Sequence, residues 1–213
     1  MKSFKIPRTT VERLPIYYRA LLGMEKREIE VISSQALGER TGIPSALVRK
    51  DLSNYGEFGR RGVGYEVSIL RRHLQKILGL ERDWPMVIVG AGNLGRALVN
   101  YQGFLRHGLE VRAVFDSDPR VIGTYIHNLR VEGPEIMEKR IQEEGAHLGI
   151  IAVPAEAAQE VADRLITAGI RGIWNFSPEH LRVPQGVILR NEDLSVGLMA
   201  LIYHLNYSMD REE

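Results

Sequence analysis

The run PMVIVGAGNLGRALVNY, residues 85–101, restricts the fold more than any other stretch of the chain. An apolar segment leads into glycines at the first, third and sixth positions of GAGNLG, and an amphipathic segment follows. That pattern spells a strand, a glycine turn and a helix. Gly90 makes the tight turn, Gly92 lets a pyrophosphate approach the backbone, and Gly95 lets the helix pack close on its strand. Ala91, Asn93 and Leu94 complete the turn. The helix start offers free N–H groups and the positive end of its dipole to phosphates.

A dinucleotide reading requires an acidic residue about 20 positions further on, at the end of the next strand. EVRAVFDSD provides it: Val111, Ala113 and Phe115 alternate, and Asp116 follows 21 residues after Gly95. A carboxylate there accepts hydrogen bonds from the adenosine ribose hydroxyls and repels a 2′-phosphate. NAD(H) is therefore favoured over NADP(H), with Asp118 or Arg120 able to soften the preference. The competing reading is that Asp116 only begins the turn DSDPR.

The alternation of strand and helix continues. Residues 147–154 (HLGIIAVP) read as a buried strand, and residues 155–169 as a helix with Ala158, Val161, Leu165 and Ile166 inward. Residues 171–178 and 186–193 read as further strands. The expectation is a parallel, doubly wound Rossmann sheet. Its ligand sits at the carboxyl ends of the strands, which brings Val153, Pro154, Asn175 and Phe176 into the pocket. Residues 194–207 close the chain as a helix with a wide apolar stripe, Leu194, Leu198, Leu201, Ile202 and Leu205. It either covers its own sheet or is exchanged with a second subunit.

The first 84 residues follow a different pattern. Thr9-x-x-Glu12 resembles a capping box, and Val11, Leu14, Tyr18, Leu21 and Leu22 recur at helical spacing. Pro15 inside that pattern should kink the helix or delay its start. In residues 33–56, Ser34 suits the cap of a short helix, Gly42 breaks it, and Pro44 and Ser45 suit the start of a second. That second helix puts Val48, Leu52 and Tyr55 on one face, with Arg49, Lys50, Ser53 and Asn54 elsewhere, and Gly56 suits its C′ position. This describes a helix-turn-helix whose second helix offers Ser45, Arg49 and Lys50 to the major groove. GEFGRRGVGY, residues 56–65, holds four glycines beside Arg60 and Arg61, which suits a wing that enters a minor groove. Leu70, Leu74, Ile77 and Leu78 mark another helix ending near Gly79.

Charge is divided along the chain. Residues 1–82 hold 16 Lys and Arg against 9 Asp and Glu, and residues 83–213 hold 12 against 18. A basic front half suits a polyanion, although a solvated positive face with no partner has the same composition. The absence of cysteine excludes disulfides, thiolate metal sites and thiol redox switching. No apolar run is long enough to span a membrane or serve as a leader, so the expected location is the cytoplasm. The six histidines, at 73, 107, 127, 147, 180 and 204, form no cluster in the sequence, and no His/Asp/Glu spacing suggests a metal site. No Tyr-x-x-x-Lys pair is present, and after the nucleotide domain only one helix remains. This pattern suits a sensor, not an enzyme. A small NAD-dependent oxidoreductase with an accessory helical domain is the alternative, and a nucleotide-binding regulator of another protein is a third.

The chain resembles the Rex family of bacterial redox-sensing repressors. RLPIYYR (13–19), residues 33–65, VGAGNLGRAL (89–98), VPAEAAQEVADRL (153–165), NFSP (175–178) and NEDL (191–194) carry the resemblance. It implies a homodimer with an N-terminal winged helix (1–84; helix-turn-helix within about 16–55, wing 56–65), an NAD(H)-binding Rossmann domain (85–192) and a domain-swapped C-terminal helix (193–213). It implies that NADH, sensed and not consumed, releases the repressor from palindromic operator DNA, while NAD+ keeps it competent to bind. Arg49 and Lys50 match the family's recognition-helix contacts, Arg61 its wing arginine, with Arg60 beside it, and Tyr101 a tyrosine near the nicotinamide. Arg19 and Asp193 match a charge pair that forms when NADH closes the dimer. Leu194 stands where some members have a phenylalanine that reaches the partner's nicotinamide pocket, and Gln102 where many have proline. A leucine can fill that space but cannot stack, so coenzyme discrimination is expected to differ.

Overall fold

The structure, a computed structural model, describes residues 6–60 and 62–209. It divides into two compact units, Met1–Arg82 and Asp83–Glu213.

The first unit opens on helix α1 (Arg8–Glu25). The capping box at Thr9 and Glu12 does not form: Pro7 is the cap residue, no side chain caps the helix, and Glu12 accepts instead from Arg8 Nε at 3.1 Å. Pro15 neither delays the start nor ends the helix, which begins seven residues earlier and runs ten beyond it. Strand β1 (Val31–Ile32) leads to α2 (Ser34–Thr41) and α3 (Ser45–Ser53). The cap of α2 is Ser33, whose Oγ accepts from the Ala36 N–H at 3.1 Å, and Ser34 is the first helical residue. Gly42, at φ +69°, turns the chain between α2 and α3 in a left-handed conformation that suits glycine. Helix α3 ends at Ser53 with Asn54 as its C-cap, so Gly56 lies beyond the C′ position expected for it. The wing is a hairpin of β2 (Gly59–Arg60) and β3 (Gly64–Glu66), and β3 also pairs with β1, giving the antiparallel order β1-β3-β2. Helix α4 (Val67–Ile77) closes the unit. Leu14, Tyr17, Leu21, Met24, Leu37, Val48, Leu52, Leu70 and Leu74 form one core drawn from all four helices. Burying a side chain of this size contributes about 1.5–3 kcal/mol.

The second unit is a seven-stranded sheet. Strand β4 (Trp84–Val89) is followed by α5 (Asn93–Val99), β5 (Leu109–Phe115), β6 (Tyr125–Ile126), β7 (Leu129–Glu132), α6 (Met137–Glu143), β8 (Leu148–Ile151), α7 (Ala155–Thr167), β9 (Gly172–Asn175) and β10 (Ile188–Asn191). The order is β10-β9-β8-β4-β5-β7-β6, parallel except for the β6–β7 hairpin. From β4 the chain builds outward in one direction through β5, then returns to β4's other side with β8. The ligand crevice of such a sheet lies at that switch, over the carboxyl ends of β4 and β8. The strands expected over 147–154, 171–178 and 186–193 are shorter at both ends, 148–151, 172–175 and 188–191, and residues past their carboxyl ends belong to the loops there.

Pleat alternation explains the two covers. Val87 and Val89 face α6 and α7 with Phe115, Ile151, Ala158, Ala162, Leu165 and Ile173, while Met86, Ile88 and Ile150 face the other way, towards Leu98 and Trp174. In α7 the inward residues are Ala158, Ala162 and Leu165, with Val161 and Ile166 half-buried. Helix α8 (Leu194–Met209) does not cover its own sheet: every residue from 194 to 208 is exposed, including Leu198 at 63% and Ile202 at 62%.

Candidate functional site

In the second unit the glycine turn is held from three sides. Gly90 donates to Phe115 O at 2.8 Å and adopts φ +104°, and a Cβ there would lie 2.3 Å from Ala152 O. At Gly95 a Cβ would lie 1.8 Å from Gly90 O, so only glycine lets α5 press on the turn. Arg96 Nε donates to Ala91 O at 2.9 Å. Gly92 caps α5 without a side chain, and the following Asn93 and Leu94 sit in its opening turn, where a helix has no acceptors of its own for its N–H groups. Gly92 and Asn93 are exposed, Leu94 half-buried.

Asp116 is bound into this turn. Its Oδ2 accepts from the Ala91 N–H at 2.7 Å and its Oδ1 from the Asp118 N–H at 2.8 Å. A carboxylate has about four lone-pair sites, so both oxygens keep capacity for hydroxyl donors. The turn reading and the ribose reading of Asp116 are thus compatible: one backbone bond fixes the turn, the other aims the carboxylate at the glycines. Two residues on, Asp118 accepts a fork from Arg120, Nε to Oδ1 at 3.0 Å and Nη2 to Oδ2 at 2.8 Å. Arg120's hydrogen bond and charge hold the Asp118 carboxyl below its ordinary pKa.

Val153, half-buried, and Pro154, exposed, follow β8, and Pro154 is the cap residue of α7. Tyr101, 59% exposed, begins a row of rings: Tyr101–Phe104 at 5.0 Å, Phe104–Trp174 at 6.2 Å and Trp174–Phe176 at 4.5 Å. Trp174 Nε1 is buried with no hydrogen-bond partner among the described residues. Phe104 and Trp174 escaped the sequence reading because each looks like an ordinary core aromatic. Asn175 is not a free pocket residue. It is fully buried, and its Nδ2 donates to Ser177 O, Glu179 O and Asn191 Oδ1 at 3.0–3.2 Å while its Oδ1 accepts from the Ser177 N–H at 3.0 Å. The NFSP turn and the NEDL segment are tied together by this one amide. Just beyond, Asp193 caps α8: its Oδ1 accepts from the Ser195 N–H at 2.8 Å and from Ser195 Oγ at 2.6 Å, and these bonds lower its pKa. Leu194 is 66% exposed.

In the first unit, a groove of about 650 Å³ runs between α3 and the wing, lined by residues that include Ser34, Arg49, Ser53, Arg60 and Gly62. Ser45 opens α3 and is half-buried, whereas Arg49, Lys50 and Arg60 are exposed. Arg49 Nη1 donates to Ser34 Oγ at 2.9 Å, which orients the guanidinium across the two helices. Arg61 lies outside the described residues. Arg19 is exposed on α1. A residue the sequence reading passed over is Asp51, 1% exposed in α3. Its position was the available signal: three after Val48 and beside Leu52, it falls on the buried face.

Among the described residues no group of three or more metal-ligating side chains occurs, and no helix is long and apolar enough to cross a membrane.

Comparison with known proteins covers both units. A family model described as "Putative DNA-binding protein N-terminus" matches residues 5–53, and one described as "CoA binding domain" matches residues 81–179. A redox-sensing transcriptional repressor Rex of Pelotomaculum thermopropionicum is 49% identical over 96% of this chain and 96% of its own. The Rex repressor of Streptomyces coelicolor is 47% identical over 95% of this chain and 79% of its own. Among solved structures, RSP in complex with β-NADH matches at TM-score 0.89 and 38% identity, covering 99% of both chains. RSP in complex with β-NAD+ and operator DNA matches at TM-score 0.90 and 40% identity, covering 97% of this chain and 95% of that one.

Proposed function

The chain belongs to the Rex family of redox-sensing transcriptional repressors, and we propose that it represses transcription as a homodimer on palindromic operator DNA and leaves that DNA when NADH binds. The observation that carries the reading is Asp116 bonded to the Ala91 N–H of the glycine turn, in a chain whose other unit is a basic winged helix. Gly90–Gly95 would take the pyrophosphate, Asp116 the ribose hydroxyls, and the side of the pocket at Tyr101, with Val153 and Pro154, the nicotinamide. Ser45, Arg49 and Lys50 would meet the major groove, Arg60 and Arg61 the minor groove and its phosphates.

NADH and NAD+ differ by one hydride and one positive charge on the ring. A dry apolar nicotinamide pocket would disfavour the charged ring, so discrimination would come from desolvation. A ligand shifts two conformers only by its differential affinity for them. In a dimer the half-site spacing must match about one turn of DNA or a multiple, so modest reorientation of two recognition helices is sufficient for release. The exposed apolar stripe of α8 supports dimerisation by an exchanged helix, because a stripe of this size does not stay in water. Arg19 and Asp193 would form the ligand-linked charge pair; in the single chain Asp193 caps α8 through its Oδ1. The nucleotide is sensed, not consumed, and the setting is the cytoplasm.

Fluorescence anisotropy on a labelled palindromic duplex from the protein's own upstream region tests this. Tight binding at fixed salt, with NADH releasing the DNA at far lower concentration than NAD+ or NADPH, is the expected result. DNA binding that no nucleotide moves refutes the sensor. Steady nicotinamide turnover with an alcohol or aldehyde refutes the non-enzymatic reading.

A further inference from the structure

Asp51 is a charged residue placed where the core of the first unit calls for an apolar one. Helix α3 buries Val48, Asp51 and Leu52 on one face, and Asp51 is 1% exposed. Three residues from successive turns of α1 close around its carboxylate. Thr10 Oγ1 donates to Oδ1 at 2.9 Å, Arg13 donates Nη2 to Oδ1 at 2.8 Å and Nε to Oδ2 at 2.6 Å, and the Tyr17 hydroxyl donates to Oδ2 at 2.8 Å. Four donors occupy about four lone-pair sites, so nothing is left over for DNA or a small ligand. Burial pushes the Asp51 carboxyl up, but the bonds from Arg13, Tyr17 and Thr10 outweigh it and hold it below its ordinary value. It is therefore a carboxylate whenever the protein is folded near neutral pH.

Stability alone gives no reason for this arrangement, since well-packed apolar residues commonly replace a buried ion pair without loss. Geometry does. Apolar contacts are non-directional, and a short helix resting on Val48 and Leu52 can roll. A forked guanidinium–carboxylate pair with two further hydroxyl donors has one good orientation. A helix with its side chains is about 5–6 Å in radius, so a 20° roll carries the outer side chains about 2 Å, enough to break a bond to a base edge. Arg49 and Lys50 directly precede Asp51 and stand on the outer side of the same helix.

We infer that Asp51, clamped by Thr10, Arg13 and Tyr17, sets the roll of α3 and so determines operator specificity without touching DNA. The inference rests on the repressor reading. Asp51 is a positioning residue: the clamp acts through the register in which Arg49 and Lys50 reach the base edges. Phosphate contacts tolerate a small roll far better than base contacts do, because they depend on charge more than on register.

The test compares Tyr17→Phe, Asp51→Asn and the apolar double variant Asp51→Leu/Arg13→Met in the full chain. The readouts are affinity for operator and for a scrambled duplex of equal length at several salt concentrations, NADH affinity, and the melting temperature. The double variant, which leaves no buried charge, is expected to stay folded and bind NADH like the wild type. Its preference for operator over scrambled DNA should fall about tenfold or more, the scale of a mismatched base pair, while scrambled-DNA affinity and salt slope hold. Tyr17→Phe, which removes one bond of four, should lose a smaller part of that preference. A folded double variant, or a folded Asp51→Asn, with wild-type operator preference overturns the inference. So does a wild-type preference in Tyr17→Phe should the other two fail to fold. Absence of operator preference in the wild type itself overturns the repressor reading, and this inference with it.

Discussion

Replacing Gly92 with alanine separates the role of the glycine turn in the fold from its role towards a ligand. Gly92 has φ −70° and ψ −167°, an extended conformation open to any residue, and a Cβ there meets nothing within 4 Å. The free protein therefore has no steric reason to resist the change. Removing a glycine restricts the unfolded chain and contributes about 0.4–1 kcal/mol of stability, which raises the melting temperature by about 1–4 °C in a chain of this size. In the proposed complex the same methyl group would occupy the space into which the pyrophosphate comes. Losing one or two charge-assisted bonds to the turn costs about 1.5–3 kcal/mol, or about 10- to 150-fold in affinity. The assay pairs a thermal melt with an NADH titration followed by nucleotide fluorescence. Gly95→Ala is the opposite control, because its Cβ would lie 1.8 Å from Gly90 O. It should destabilise the second unit by about 1–3 kcal/mol or more through overpacking. A Gly92→Ala protein that melts as usual and binds NADH within about twofold of wild type, well under the tenfold step that 1.4 kcal/mol represents, refutes the placement of the pyrophosphate over Gly92. A fall of several degrees refutes the claim that the space is open.

Asp118→Ala should release Arg120 from its fork and raise NADPH affinity relative to NADH several-fold, and Asp118→Ala/Arg120→Ala should cancel the gain; competitive titration of the two nucleotides decides it. Arg49→Ala should cost about 1–3 kcal/mol at its base pairs and relax specificity there, whereas Arg61→Ala should reduce the slope of log affinity against log salt by about one. Wild-type discrimination among operator variants in Arg49→Ala, with a wild-type salt slope in Arg61→Ala, would show that neither residue reaches DNA. Stability of the first unit should fall at both pH extremes. Asp51 has a lowered folded pKa, so its contribution is present above the unfolded value near 3.8 and is lost as pH falls through the lower folded one. Tyr17 has a raised folded pKa, chiefly from burial, so its contribution is present below about 10 and is lost as pH rises beyond that. Melting curves from pH 3 to 11 on wild type and on Asp51→Leu/Arg13→Met should show the acid component only in the wild type and the alkaline one, which burial of Tyr17 chiefly sets, in both.

Sequence by itself determined the features that depend on near neighbours along the chain. The strand, glycine turn and helix around Gly90–Gly95, the position of Asp116, and the helix-turn-helix broken at Gly42 all follow from periodicity and backbone freedom within a few residues. Local rules failed where two neighbours were equally suited. Ser33 and Ser34 are both good caps, and what decides between them is where the strand β1 ends, which its pairing with Glu66 and Tyr65 fixes. The short strands β6 and β7 and the helix α6 left no periodic signal, since two to seven residues cannot display one; they exist because the sheet edge and α7 complete them. Tertiary structure alone revealed the clamp on Asp51, whose partners lie 34 to 41 residues away, and the use of Asn175 as a tie between β9 and the residues leading into α8. It also decided that α8 leaves its own sheet uncovered. The apolar stripe of α8 was plain in the residues, but hydrophobicity specifies burial without naming the surface that provides it, and only the three-dimensional path of the chain shows that the sheet of its own unit does not provide it.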